Sequence, residues 1–183
     1  MLKLIYKYKS VLRFLVIFIG SYLIFVTLYN LFLTYGSSKT YYPDIITHTV
    51  ANQSQSVINA LGYAMEVVPS KREAAMNLNY NDTTLARVVE GCNSVSILLL
   101  FIAFMLAFFG ETKRTLLYIF SGAVLIYAIN ILRIALLTIA LYKYPEYTEL
   151  LHGTIFPAVI YGTVFFLWVG WIQSYRKPEK NEK

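Results

Sequence analysis

Four apolar stretches without a charged side chain, at 14–33, 95–110, 115–132 and 153–174, limit this chain to few folds. A bilayer core about 30 Å thick takes roughly 20 apolar residues as a helix rising about 1.5 Å per residue. The second stretch is short, so its first turn is expected to take in Asn93 and Ser94. The third meets Arg133 and continues apolar to Tyr142. The expected spans are therefore about 14–33, 93–110, 115–133 and 153–174, within one integral membrane domain covering 1–183. The first run exceeds the roughly 7–15 apolar residues of a signal peptide and precedes no small-residue cleavage pattern, so it reads as a retained anchor.

Composition agrees, with 57% apolar and 14% charged residues against about 45–50% and about 25% in soluble domains. A soluble enzyme, a disordered chain and a secreted disulfide scaffold are excluded. Cys92 is the one cysteine, so the chain can form neither an internal disulfide nor a cysteine-based metal cluster. The net charge of +6 points to basic membrane flanks rather than to nucleic acid. Lys3, Lys7, Lys9, Arg13, Lys113, Arg114, Arg176, Lys177, Lys180 and Lys183, 10 of the 16 basic residues, would share one side of a four-span chain. Basic flanks stay preferentially cytoplasmic, so both termini are expected in the cytoplasm.

The connection over about 34–91 is then extracytoplasmic. Ile46, Val50, Val57, Leu61, Met65 and Val68 recur at threes and fours, the spacing of an amphipathic helix. Pro69-Ser70-Lys71-Arg72 breaks it. Met76, Leu78 and Tyr80, then Leu85, Arg87 and Val89, alternate about an Asn81-Asp82 turn, which suggests a small hairpin. The fold class is an all-α membrane protein of about four transmembrane helices, carrying an extracytoplasmic amphipathic helix and this hairpin.

This topology brings three polar residues to one face. Cys92 enters the second span, Arg133 ends the third and His152 precedes the fourth. Each has a structural reading beside a chemical one. A lone cysteine is commonly a small packed residue, yet one at a helix start meets the unpaired N–H groups that favour nucleophilic sulfur. Arg133 can snorkel to the interface, yet an ionisable residue between Ile131-Leu132 and Ile134-Ala135 is a functional candidate. His152 can simply close a helix. His48, on the amphipathic segment, reads as surface. A thiol, a base and a fixed cation are the ingredients of covalent acyl transfer. The residues alone leave open both that role and a non-catalytic membrane assembly or transport subunit, in which Arg133 would pair with a partner helix. A lipid-modifying transferase would use the same thiol with a different acyl donor.

At Glu90-Gly91-Cys92-Asn93-Ser94, Asn130-Ile131-Leu132-Arg133-Ile134 and His152-Gly153 the chain resembles the exosortase/archaeosortase family of membrane cysteine peptidases. The likeness covers roughly 88–170, and the size is similar to the short F-type members. Many members carry Cys-Ser-Gly or Cys-Ala-Gly where this chain has Cys92-Asn93-Ser94. The resemblance implies cleavage of C-terminal sorting signals, each a short motif, a membrane helix and a basic cluster, on membrane-anchored substrate proteins. It implies Cys92 as nucleophile through a thioacyl intermediate, His152 as base and then acid, and Arg133 for the oxyanion or for orienting substrate. Water, an amine or a hydroxyl would resolve the intermediate, and no metal or organic cofactor is needed. Glu149, a helical turn before His152, is a candidate to orient the imidazole.

Overall fold

The computed structural model describes residues 8–36, 42–81 and 83–176. Asp82 of the expected turn, and Lys3, Lys7, Lys177, Lys180 and Lys183 of the basic flanks, lie outside the described residues. In chain order the elements are α1 (Lys9–Gly36), α2 (Ile45–Ala60), β1 (Glu66–Pro69), β2 (Ala75–Tyr80), β3 (Thr83–Val89), α3 (Val95–Ala107), α4 (Thr112–Lys143) and α5 (Phe156–Arg176). Helices α1, α3, α4 and α5 form a bundle. Helix α2 and an antiparallel sheet ordered β1-β2-β3 pack on one end of it.

Three segments are long and apolar enough to cross a membrane: Lys9–Tyr35, Thr112–Lys143 and Pro145–Ser174. Phe120 and Phe166, 71% and 73% exposed, point outward from α4 and α5, as lipid-facing residues do. Helix α3 is shorter than expected. Its 13 residues rise about 20 Å, and Asn93 and Ser94 stay outside it. Its flanks extend its contact with α1. Asn93 bonds Tyr29 on α1 at 2.7 Å, while the Phe108 ring sits 4.5 Å from that of Phe14. Helix α3 therefore runs antiparallel to α1 over about four helical turns.

The same ordering holds across the other pair. Arg114 at the start of α4 bonds Ser174 near the end of α5, and Tyr118 donates to the Leu167 carbonyl at 2.7 Å. Lys9, Arg13, Lys113 and Arg114 thus gather at the bundle end opposite the sheet. Between the two ends, Phe101, Phe104, Met105, Ile126, Ile160, Val164 and Trp171 form the bundle core. Phe101 lies directly against α4, because a Cβ on Gly122 would sit 2.5 Å from its Cζ.

Helix α4 passes Arg133 and continues to Lys143. The stretch of α4 on either side of Arg133 is the floor of the second core, where Ile131, Ile134 and Ala135 meet Val50, Ala51 and Ile58 of α2 and Met76, Leu78 and Val88 of the sheet. Asp44 caps α2 by accepting from the Ile46 and Thr47 amides at 2.9 Å each. The helix stops sooner than its apolar spacing suggests. The Gly62 amide bonds the Asn59 carbonyl and the Tyr63 amide the Ile58 carbonyl, with Gly62 at φ +91°, a Schellman ending. Leu61 is the cap and is exposed; Met65 and Val68 belong to the sheet side, not to the helix. The expected hairpin forms as β2–β3, pairing Met76 with Val88 and Asn77 with Arg87. It gains β1 as a third strand, pairing Val67 with Leu78.

Candidate active site

Strand β3 delivers the chain to Cys92. It runs into a 3-10 turn, Glu90–Cys92, and α3 begins three residues later at Val95. Cys92 is therefore not the first residue of a helix, and the first amide of α3, on Val95, is already bonded by the Asn93 side chain at 3.0 Å. Asn93 is fully buried. Its Nδ2 donates to Tyr29 Oη at 2.7 Å and Thr47 Oγ1 at 3.0 Å. One amide thus ties the cysteine turn to α1, α2 and α3 together. Ser94 follows at φ +65°, ψ 0°, the left-handed region that glycine adopts freely and other L-residues at a cost.

Asn130, 1% exposed, holds the turn from the opposite side. Its Nδ2 donates to the Cys92 carbonyl at 2.8 Å, and its Oδ1 accepts from Arg133 Nη1 at 3.4 Å. The two residues lie three apart on α4, so their side chains share a face. Arg133 Nε is buried without a hydrogen-bond partner among the described residues.

His152 sits on a π-helical turn, Leu151–Ile155, that leads into α5; such turns are frequent at functional sites. Its side chain is exposed, whereas Cys92 is half-buried. Cys92, Arg133 and His152 border one cavity of about 230 Å3, whose remaining wall comes from Leu85–Val88 of β3 and Ile134, Leu137, Thr138 and Leu141 of α4. Among the described residues no hydrogen bond joins Glu149 to His152, and Glu149 is exposed. His48 is half-buried rather than surface-exposed, its Nδ1 lying 3.4 Å from the Tyr42 carbonyl. It does not border the cavity.

Residues 7–172 match the family model described as transmembrane exosortase. The chain belongs to the transmembrane exosortase family. No curated protein and no solved structure matches it. Two residues after the cysteine, where the resemblance noted above places a glycine in many members, Ser94 holds the conformation that a glycine would favour. Asn93 replaces the motif's serine or alanine and adds side-chain bonds that neither residue's shorter side chain would span.

Sequence reading singled out the three cavity residues but gave no role to Asn93, Asn130, Tyr29 or Thr47. One signal was available: Asn130 is a strong hydrogen-bonding side chain in an otherwise apolar run, one turn from Arg133. The Tyr29 and Thr47 contacts span 64 and 46 residues and leave no local pattern.

Proposed function

We propose that this exosortase is a membrane cysteine peptidase or transpeptidase that cuts C-terminal sorting signals of exported proteins at the outer face of the inner membrane. The observation that carries the reading is the single cavity bordered by Cys92, Arg133 and His152, which come from three separate elements. A thiol, an imidazole and a guanidinium around a space of that kind suit acyl transfer to sulfur.

The substrate's membrane helix lies beside the bundle, with its scissile carbonyl at Cys92. His152 takes the thiol proton as Sγ bonds the carbonyl carbon, and Arg133 stabilises the negative charge that develops on oxygen. Collapse of the tetrahedral adduct breaks the C–N bond. His152 returns its proton to the departing amine, leaving a thioester on Cys92. Water, an amine or a hydroxyl then attacks that thioester, with His152 now accepting the proton of the attacking group, and the thiol is regenerated. No hydrogen bond joins Cys92 to His152 among the described residues; catalytic hydrogen bonds often form only once substrate is bound.

The test is processing, in membranes, of a protein ending in a motif, a membrane helix and a basic cluster. Cys92→Ala and Cys92→Ser should both insert normally and leave the tailed substrate uncut. Serine keeps nearly the same shape, but its hydroxyl needs a stronger base than an imidazole alone. His152→Ala should resemble either variant, and combining it with Cys92→Ala should add little, as for groups acting as a unit. Normal processing by Cys92→Ala would end the enzymatic reading.

A further inference from the structure

Helix α1 reads in the sequence as an anchor, yet its sheet-side end is bonded to the turn that carries the thiol. At the end away from the sheet, rings hold it. Phe14 lies 5.7 Å from Phe104, and Phe18 lies 6.1 Å from Phe104 and 6.4 Å from Trp168. Toward the sheet the contact becomes polar. About four helical turns beyond Phe14, Tyr29 Oη accepts from Asn93 Nδ2 at 2.7 Å.

The Asn93 side chain is fully engaged. A side-chain amide offers two N–H donors and one carbonyl oxygen. Tyr29 and Thr47 take the two donors, and Oδ1 accepts from the Val95 amide at 3.0 Å. Asn93 is 0% exposed, so no water replaces a bond that the amide loses by turning. Both hydroxyls come from other helices: Tyr29 from α1, and Thr47, also 0% exposed, from the first turn of α2.

The turn needs that hold. Ser94 stands at φ +65°, and a residue other than glycine keeps this backbone only where its surroundings over-determine it. Asn93 lies between Ser94 and Cys92. Whatever fixes Asn93 therefore fixes the backbone of the strained residue on one side and of the thiol on the other. Neither Tyr29 nor Thr47 borders the Cys92 cavity, so any effect they have on chemistry there passes through the turn.

We propose that Tyr29 is a positioning residue, through which α1, together with Thr47 of α2, clamps the Cys92 turn in its strained conformation. This rests on the function proposed above. The first membrane helix is then part of the support of the active site and not an anchor alone.

The test uses the full-length protein in nanodiscs and two readouts, each normalised to folded protein. One is processing of a tailed substrate; the other is labelling of Cys92, the one cysteine, by a maleimide. Tyr29→Phe removes the acceptor and keeps the ring. Processing should fall about ten-fold, since an ångström of misplacement costs about a hundred-fold. Labelling should rise about five-fold, the scale on which one lost hydrogen bond favours local opening. Thr47→Val removes the other acceptor and should move both readouts the same way. Tyr22→Phe is the control: it lies seven residues earlier on the same face of α1, its hydroxyl has no partner among the described residues, and it should behave as wild type.

The deciding variant combines Tyr29→Phe with Ser94→Gly. Glycine adopts positive φ at no steric cost, so the turn holds its shape unclamped and the effect of Tyr29→Phe should shrink to within about two-fold. An equal loss with and without Ser94→Gly would make Tyr29 a packing residue and overturn the proposal. Wild-type readouts from Tyr29→Phe, or a matching loss from Tyr22→Phe, overturn it as well. Labelling needs no turnover, which separates this proposal from the peptidase reading. Faster labelling in Tyr29→Phe, suppressed by Ser94→Gly, from protein that cuts no tailed substrate upholds the clamp and overturns the peptidase. Processing that requires Cys92 but is indifferent to Tyr29 does the reverse.

Discussion

The Asn130 side chain donates a 2.8 Å hydrogen bond to the backbone carbonyl of Cys92 while its oxygen accepts from Arg133 Nη1 at 3.4 Å. One buried amide therefore sets the spacing between the thiol-bearing turn and the cation. Asn130→Ala should lose about 1 kcal/mol of stability from the missing bond, yet lower processing by up to about a hundred-fold, because small misplacements of reacting groups cost that much. Asn130→Asp keeps the size but loses the donor and presents a carboxylate to the Cys92 carbonyl, so it should fail to rescue. Processing rates, normalised to inserted protein, test both. A variant that loses activity only in proportion to its folded amount would make Asn130 a packing residue.

Ser94 has the opposite expectation. At φ +65° a side chain costs about 1–2 kcal/mol relative to glycine, and its Oγ is buried without a partner among the described residues. Ser94→Gly should therefore melt at or slightly above the wild-type Tm in detergent and keep processing activity, the gain being trimmed by glycine's freedom in the unfolded chain. Ser94→Val, β-branched at positive φ, should melt lower. A lower Tm for the glycine variant would contradict the strained turn.

Within the bundle, a Cβ at position 122 would stand 2.5 Å from Phe101 Cζ and 2.8 Å from Cε1. Gly122→Ala should lower stability by about 1–3 kcal/mol, the usual range for overpacking. Phe101→Leu should recover part of that loss when combined with it, since a shorter side chain clears the space. Melting of both single variants and the double variant in detergent measures the coupling; additive losses would mean that the two positions do not meet.

Arg133→Lys preserves charge but removes the planar fork that can hold two acceptors at once. The variant should insert normally and process poorly. Wild-type processing would reduce Arg133 to an interface anchor, with the oxyanion role assigned to it withdrawn.

Topology is open to direct measurement. Reporter fusions after Lys113 and Lys180 should read as cytoplasmic, and one after Arg72 as external. An external signal at Lys113 would reverse the side on which the Cys92 cavity opens and with it the proposed substrate approach.

The helices of the bundle were legible in the sequence because a chain crossing lipid must satisfy its backbone groups within itself. Long charge-free runs have then only one economical conformation. The β2–β3 hairpin was equally legible, since Met76, Leu78 and Tyr80 alternate at the period of a pleated strand. The end of α2 was misread for a specific reason: Met65 and Val68 continue a spacing of threes and fours, but Gly62 ends the helix before them. The glycine was visible; that it takes φ +91° and closes a Schellman turn depends on local hydrogen bonds that apolar periodicity does not report. The order Cys92, Arg133, His152 along antiparallel spans already implied a common face, because three membrane boundaries of the same polarity must coincide in depth.

What tertiary structure alone decided is lateral position and support within that face. Depth follows from counting residues along apolar helices. Which helices touch, and which polar atoms meet, follows from packing between residues far apart in the chain. Asn93 reaches Tyr29 and Thr47, Asn130 reaches the Cys92 carbonyl 38 residues away, and β3 faces α4 across the cavity beside Cys92. Each of these contacts exists only because α1, α2 and α4 converge around the turn after β3, a convergence set by side-chain shape and burial rather than by any spacing along the sequence.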